Sequence, residues 1–248
     1  MSYLELISLS LAAEFMSIDS ENDLFRNLPK PLLSKIERSV FNRRRRNLFN
    51  HIDVIRLKLA SFFNDFENYF VFDSMPLEVC KENISTIPNK GYFASQGLRY
   101  YGYKLHAICS VSGVFQSIDL RKDSVHDINY LKDIKHQTSD CTLIGYRSCL
   151  SAEIQLKLLE TCNIKLNTPM RNNQNNYKKQ PYIFRKKRKR IETLFSQLCD
   201  QFMIRRNYAK SFDGFKTRIV SKITSLTTIQ YINKFIFNRN IKKYKNVA

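Results

Sequence analysis

The last third of this chain has almost no acid. Residues 165–248 hold three Asp and Glu (Glu192, Asp200, Asp213) against 21 Lys and Arg, while the acids and bases of residues 1–68 and 69–164 nearly balance. The formal net charge of +19 therefore lies almost wholly at one end. So concentrated a positive field excludes a neutral surface and favours a polyanion, because each neutralised phosphate releases condensed counterions. Other absences narrow the class. The six cysteines (Cys80, Cys109, Cys141, Cys149, Cys162, Cys199) include no Cys-x-x-Cys pair, which excludes the usual zinc spacings and leaves buried free thiols suited to a reducing cytosol. No apolar run approaches the roughly 20 residues of a membrane span. The stretch Leu4 to Ala13 lacks a basic leader and carries Glu5, so it is not a secretory signal. Internal repeats are absent. What is present, 43% hydrophobic and 12% aromatic residues over 248 positions, is enough for one large domain or two small ones with a real core.

The pattern changes after Asn68. Before it, apolar residues recur at helical spacing: Leu4, Ile7, Leu11 and Phe15, then Leu33, Ile36, Val40 and Phe41, then Ile52, Ile55, Leu59 and Phe62. Asp19 or Ser20 suits the cap of a further helix, and Arg43-Arg44-Arg45-Arg46 forms one arginine cluster. Residues 1–68 thus read as an all-helical region, either DNA-binding or a packing module, and no recognition helix stands out. From residue 69 the expected order is a strand at Tyr69–Asp73, a loop-like stretch at 77–99, a hairpin at 101–120 turning at Ser112-Gly113, a helix at 127–136 and a strand at 141–145. A helix at 152–162 capped by Ser151, a strand at 164–167, a long helix at about 184–204 and a last helix at about 212–237 complete it. A mixed α/β sheet flanked by helices accommodates this order, and the ribonuclease H-like fold has it. The domain expectation is 1–68 helical, 69–240 ribonuclease H-like, and 241–248 a frayed tail.

Two acids stand out against this background. Asp73 closes the apolar run Tyr69-Phe70-Val71-Phe72, where a strand would fix it rigidly; the alternative is a turn-capping acid before Ser74-Met75-Pro76. Glu192 lies within Arg185-Lys186-Lys187-Arg188-Lys189-Arg190-Ile191-Glu192. Ile191, Leu194, Phe195 and Leu198 make one apolar face, and Glu192 flanks it about 100° round the helix. Its alternative is an intrahelical pair with Arg188, worth a few tenths of a kcal/mol. A strand carboxylate and a distant helical carboxylate among cations suit metal-dependent phosphodiester chemistry, which uses two divalent cations bridged and flanked by carboxylates.

Several stretches carry a family resemblance: "FDSMPLEVC" at 72–80, "YYGYKLHAICSVSGVF" at 100–115, "SVHDINYLKD" at 124–133, "CTLIG" at 141–145, "TPMRNNQ" at 168–174 and "RKRIETLFSQL" at 188–198. With these the chain resembles the DDE transposases of bacterial insertion sequences, specifically the insertion sequence 982 family. The resemblance implies a ribonuclease H-like catalytic domain after a helical DNA-binding region. It implies Mg²⁺- or Mn²⁺-dependent cutting and joining at the element's terminal inverted repeats, with duplex end DNA and target DNA as partners. A homo-oligomer on DNA, a bacterial cytoplasmic location on the nucleoid and no membrane partner follow from it. Asp73 takes the place of the first acid and Glu192 that of the third, and both are the expected catalytic and metal-binding residues. Arg185, Lys186, Lys187, Arg188, Lys189, Arg190, Arg205 and Arg206 are the expected DNA contacts. Against the family the chain also opens inside a helical pattern, as if shortened at its N-terminus.

The second acid does not carry over. After the strand at 141–145 the family reads Gly-Asp-(Lys/Arg)-Gly-Tyr, whereas this chain reads Gly145-Tyr146-Arg147-Ser148-Cys149. A phenol of pKa about 10 is neutral at pH 7 and cannot replace an anionic metal ligand. Asp140 precedes the strand, and Glu153 sits on the next helix. Three departures within four residues point to a decaying element copy with severely reduced catalysis. The alternative is a DNA-binding remnant without catalysis, which occupies element ends or inhibits active transposase. His106 and His126 are candidates to orient acids or touch phosphate, or are structural.

Overall fold

The computed structural model describes residues 1–63, 68–79, 89–93, 98–122, 127–134, 139–146, 151–170, 173 and 177–244. In chain order its first helices are α1 (Tyr3–Phe15), α2 (Glu21–Asn27), α3 (Lys30–Leu33), α4 (Arg38–Arg46) and α5 (Phe49–Ser61). Strands β1 (Tyr69–Glu78), β2 (Asn89–Phe93), β3 (Leu98–Ser110) and β4 (Phe115–Lys122) follow, then α6 (Asp127–Ile134), β5 (Thr142–Ile144), α7 (Ala152–Cys162) and β6 (Lys165–Asn167). Helices α8 (Tyr182–Asp200) and α9 (Phe212–Tyr231) close the order, and α9 runs on into a π-helical turn at Ile232–Ile236. Among the described residues no helix is long and apolar enough to cross a membrane. The chain divides into two compact units: one built from both ends, Met1–Phe63 and Ser196 onward, and one from the middle, ending at Phe195.

The helical unit is organised around α9, which the sequence pattern had assigned to the sheet domain. Phe215, Ile219, Ile223 and Leu226 are buried on it, and so are Thr217, Ser221, Thr224, Ser225 and Thr227. Small hydroxyl residues let neighbouring helices approach closely, and their hydroxyls are bonded. Ser221 donates to the Thr217 carbonyl at 2.8 Å and Ser225 to the Leu11 carbonyl at 2.9 Å. The faces buried on α1 and α5 therefore differ from the apolar stripes expected. Helix α1 buries Leu6, Ile7, Ser10, Ala13 and Glu14 and leaves Leu4 exposed. Helix α5 buries Ile52, Arg56 and Ala60.

An ion cluster replaces part of the apolar core here. The Glu14 carboxylate meets Arg45, Lys222 at 2.6 Å and Arg218 at 3.3 Å, and all four side chains are less than a tenth exposed. Burial opposes ionisation of Glu14, but the charges of Arg45, Arg218 and Lys222 outweigh it and hold the carboxyl at about 2. Lys222 also donates to the Phe202 carbonyl at 2.6 Å. Residues 241–244, expected to fray, are docked: Tyr244 is buried, its hydroxyl accepts from Gln230 Nε2 at 3.2 Å, and its carbonyl accepts from Gln201 Nε2 at 3.4 Å.

The sheet unit has strand order β2-β3-β1-β5-β6, with β4 on the same edge of β3 as β2. Strand β3 runs antiparallel to β1, β2 and β4, while β1, β5 and β6 are mutually parallel. This mixed order, with a long antiparallel meander joined to parallel strands through helices, is the ribonuclease H-like topology. The stretch 77–99 read as a loop contributes β2 and the start of β3; Pro88, Gly91 and Gly97 resemble turn residues, but the pairing Tyr92↔Arg99 is set by the ladder. Phe70, Phe72 and Ile108 face α6 and α7, where Tyr130, Leu131, Ile134, Ile154 and Leu158 complete the core. Side chains alternate along a strand, so Val71 and Asp73 point to the opposite face. That face belongs to α8, which buries Ile191, Leu194 and Phe195 and brings Phe195 against Phe115 of β4 at 6.1 Å between ring centroids.

Candidate active site

Asp73 does not end its strand. Strand β1 continues to Glu78 because β3 pairs with it throughout, from Phe70↔Ser110 to Glu78↔Gly102. The parallel pairing with β5 stops at Val71↔Ile144. Beyond that point no further strand pairs with this edge of β1 among the described residues, which is where a strand tolerates Pro76. Asp73 thus stands just past the C-terminal end of β5, beside the residues that follow it. Crevices at the carboxyl ends of parallel strands are the usual place for sites in sheets of this kind.

Tyr146 follows β5 at this end of the sheet. Its hydroxyl donates to Glu192 Oε1 at 2.6 Å, and the Arg188 guanidinium lies 4.5 Å above its ring. Burial pushes the phenol well above its ordinary pKa; the nearby Asp73 charge and the Glu192 hydrogen bond and charge add to this, and Arg188 opposes. Tyr146, at the end of β5, thus contacts Glu192 of α8 and lies within the field of the Asp73 charge on β1. Glu192 takes its proton contact from Tyr146, not from an intrahelical pair with Arg188.

The other acids stand elsewhere. Asp140 precedes β5 and accepts from Asn163 Nδ2 at 3.0 Å. Glu153 is exposed in the first turn of α7. His106 pairs with Ser74 in the β-ladder, so it shares the face of Phe72 and points away from Asp73. It is fully buried and stacks with Tyr130 at 5.2 Å and Phe72 at 6.3 Å, which makes it a core residue. His126 lies outside the described residues.

The basic residues expected to meet DNA differ in their engagement. Lys186 and Lys189 are exposed on α8. Arg185 lies over Tyr182 at 5.9 Å and Lys187 over Tyr69 at 3.6 Å, both cation–π placements. Arg190 is held inward: its Nε donates to the Val111 carbonyl at 3.2 Å, against the hairpin turn. Gly113 makes that fit possible. Its φ is +99°, and a Cβ there would stand 2.8 Å from Arg190 Cδ. Arg205 and Arg206 are exposed in the helical unit, where Arg206 reaches Asp19 at 3.7 Å.

A two-cation centre requires anionic oxygens on both sides of a bridging carboxylate. The donors gathered here are two carboxylates and a protonated hydroxyl that is already directed at one of them. Among the described residues no three His, Cys, Asp or Glu side chains are grouped to hold a metal ion. This donor set does not fit a two-cation centre.

The sheet topology, with one carboxylate on its first strand and another on the covering helix, defines an acid-bearing ribonuclease H-like domain. The chain belongs to the transposase DDE domain family, whose pattern matches residues 65–228. A comparison with curated protein sequences finds no match. Among solved structures the chain is similar to that in the Mos1 strand transfer complex, at 10% identity and a TM-score of 0.27 over 90% of this chain and 76% of that one. The Mos1 paired-end complex with left transposon end gives 10%, 0.26, 90% and 76%, and a pre-cleavage Mos1 transpososome 11%, 0.27, 87% and 74%, in the same order. Values this low add nothing to the fold, which rests on the strand order.

Proposed function

We propose that this chain is an insertion-sequence transposase of the 982 type that binds the duplex ends of its element as a homo-oligomer, with cleavage and strand transfer disabled by Tyr146. The family reaction is hydrolytic nicking at the element ends, followed by attack of the freed 3′-hydroxyl on target DNA. The family match supports the transposase assignment. Exposed Lys189 and Lys186, about one and nearly two helical turns before Glu192, support phosphate binding beside the acids. The observation that carries the impairment is the Tyr146 hydroxyl bound to Glu192 at 2.6 Å. It engages one of the two remaining carboxylates with a proton, which weakens Mg²⁺ or Mn²⁺ binding. A lost metal ligand worth several kcal/mol slows the chemical step by about a thousandfold or more.

A second reading, a binding-only protein that occupies element ends or inhibits active transposase, is favoured by the retention of the basic C-terminal third alongside the altered acid site. Both readings are tested with duplexes bearing the element's own ends, in Mg²⁺ and Mn²⁺, comparing the natural chain with Tyr146→Asp. The account expects both to bind and only the variant to nick. Nicking by the natural chain at the variant's rate would refute the impairment, and failure of both to bind would refute the transposase reading.

A further inference from the structure

The helical unit holds a second concentration of charge that the acid site does not use. A cavity of about 310 Å³ opens between α2, α4 and the N-terminal end of α9. At roughly 30 Å³ per water it has room for a phosphate group and several waters. Four cations line it, Arg45, Arg46, Lys210 and Arg218, against two acids, Asp19 and Glu21. Glu21 meets Arg45 at 3.5 Å and Asp19 Oδ2 meets Arg206 at 3.7 Å, while Asp19 Oδ1 is buried without a hydrogen-bond partner. Glu14, behind the wall, is shared among Arg45, Arg218 and Lys222. With Lys222 and Glu14 included, five cations stand against three acids here, which leaves an excess of positive charge at the cavity.

Two further features point to an anion. Arg45 is 6% exposed, and its Nε is buried without a hydrogen-bond partner. A buried donor of that kind is costly unless a ligand or water accepts from it. At the mouth, Arg46 and Lys210 are exposed and have no ion-pair partner among the described residues. Helix α9, 20 residues long with Ser211 as its cap, directs its positive end at the same space.

We infer that this cavity binds a phosphate group, with Arg45 and Arg218 as its fixed floor and Arg46 and Lys210 as the side chains that close on it. The favoured source is a backbone phosphate of duplex DNA, and only that choice of source rests on the transposase reading. A backbone phosphate here gives the helical unit a fixed point on the duplex that requires no base contact and no recognition helix.

The test uses the full chain, the double variant Arg46→Gln/Lys210→Gln, and a control that loses equal charge at exposed sites of the same unit, Lys30→Gln/Lys58→Gln. All four positions are solvent-exposed, so folding is checked simply by matching far-ultraviolet circular dichroism. Thermal stability is read in millimolar inorganic phosphate against chloride of equal ionic strength. Duplex affinity is read as a function of salt. The expected result is that phosphate stabilises the natural chain and the control but not the double variant. The double variant also loses about tenfold in duplex affinity relative to the control, and its log–log salt slope falls by about 0.9 per phosphate contact removed. If phosphate stabilisation is lost but duplex binding matches the control, the site stands and its ligand is a free phosphate compound. If the natural chain is stabilised by phosphate yet binds no duplex, the transposase reading fails and the site stands. No stabilisation of the natural chain, with duplex binding equal in variant and control, overturns the site.

Discussion

Replacing Glu14 by Gln should cost the helical unit about 3 kcal/mol at neutral pH. The carboxyl is held at about 2 against an ordinary value of 4.5. A preference of that size for the ionised form corresponds to about 3 kcal/mol favouring the folded chain. The range of about 3–5 kcal/mol for breaking a buried ion pair agrees with it. The loss falls chiefly on Lys222, already pushed down by burial, which then loses the carboxylate that offsets it. The pH dependence has a definite sign. A depressed carboxyl contributes its stability above about 4.5, and this fades by about 1.4 kcal/mol per pH unit as pH falls toward 2. Urea unfolding of the natural chain and Glu14→Gln at several pH values measures both effects. The gap in unfolding free energy should be widest at neutral pH and narrow steadily below about 4.5. Equal stability at neutral pH, or a gap that stays constant down to pH 2, would refute the reasoning.

Gly113→Ala forces a non-glycine residue to φ +99° and sets its Cβ 2.8 Å from Arg190 Cδ, so it should destabilise the sheet unit by about 2 kcal/mol or more, seen as a lower melting temperature. Tyr146→Phe should flatten the alkaline limb of stability: the folded phenol is raised above its ordinary 10, so its contribution is intact below pH 10 and is lost as pH climbs beyond. Unfolding midpoints from pH 8 to 11 that run parallel in the two proteins would contradict that placement of the phenol.

Glu192 was legible because an acid inside a run of cations is conspicuous and because Ile191, Leu194 and Phe195 announced which way its helix faces. Asp73 was legible as a strand residue, but the end of its strand was not. The continuation to Glu78 depends on β3, whose partner residues lie some thirty positions along the chain. Tyr146 could be noticed as a missing acid, yet its contact with Glu192 spans 46 residues and no local pattern encodes it. Arg190 looked like its neighbours in a basic run, and only the packed turn at Gly113 reveals that it serves the fold. The largest gap was the Glu14 cluster. Leu4, Ile7, Leu11 and Phe15 gave a plausible apolar stripe, but the helix buries the face of Leu6, Ser10, Ala13 and Glu14, because partners 31 and 204 residues away supply the compensating charge. A glutamate sharing a helix face with the small residues Ser10 and Ala13 was the available signal.

Metal binding tests most directly whether the Tyr146 phenol takes the place of an anionic ligand. Calorimetric titration of Mn²⁺ into the natural chain and into Tyr146→Asp, each shown to be folded by circular dichroism, compares the two donor sets without requiring turnover. The account predicts weak or no binding by the natural chain and at least about tenfold tighter binding by the variant. Equal affinity in the two proteins would contradict it.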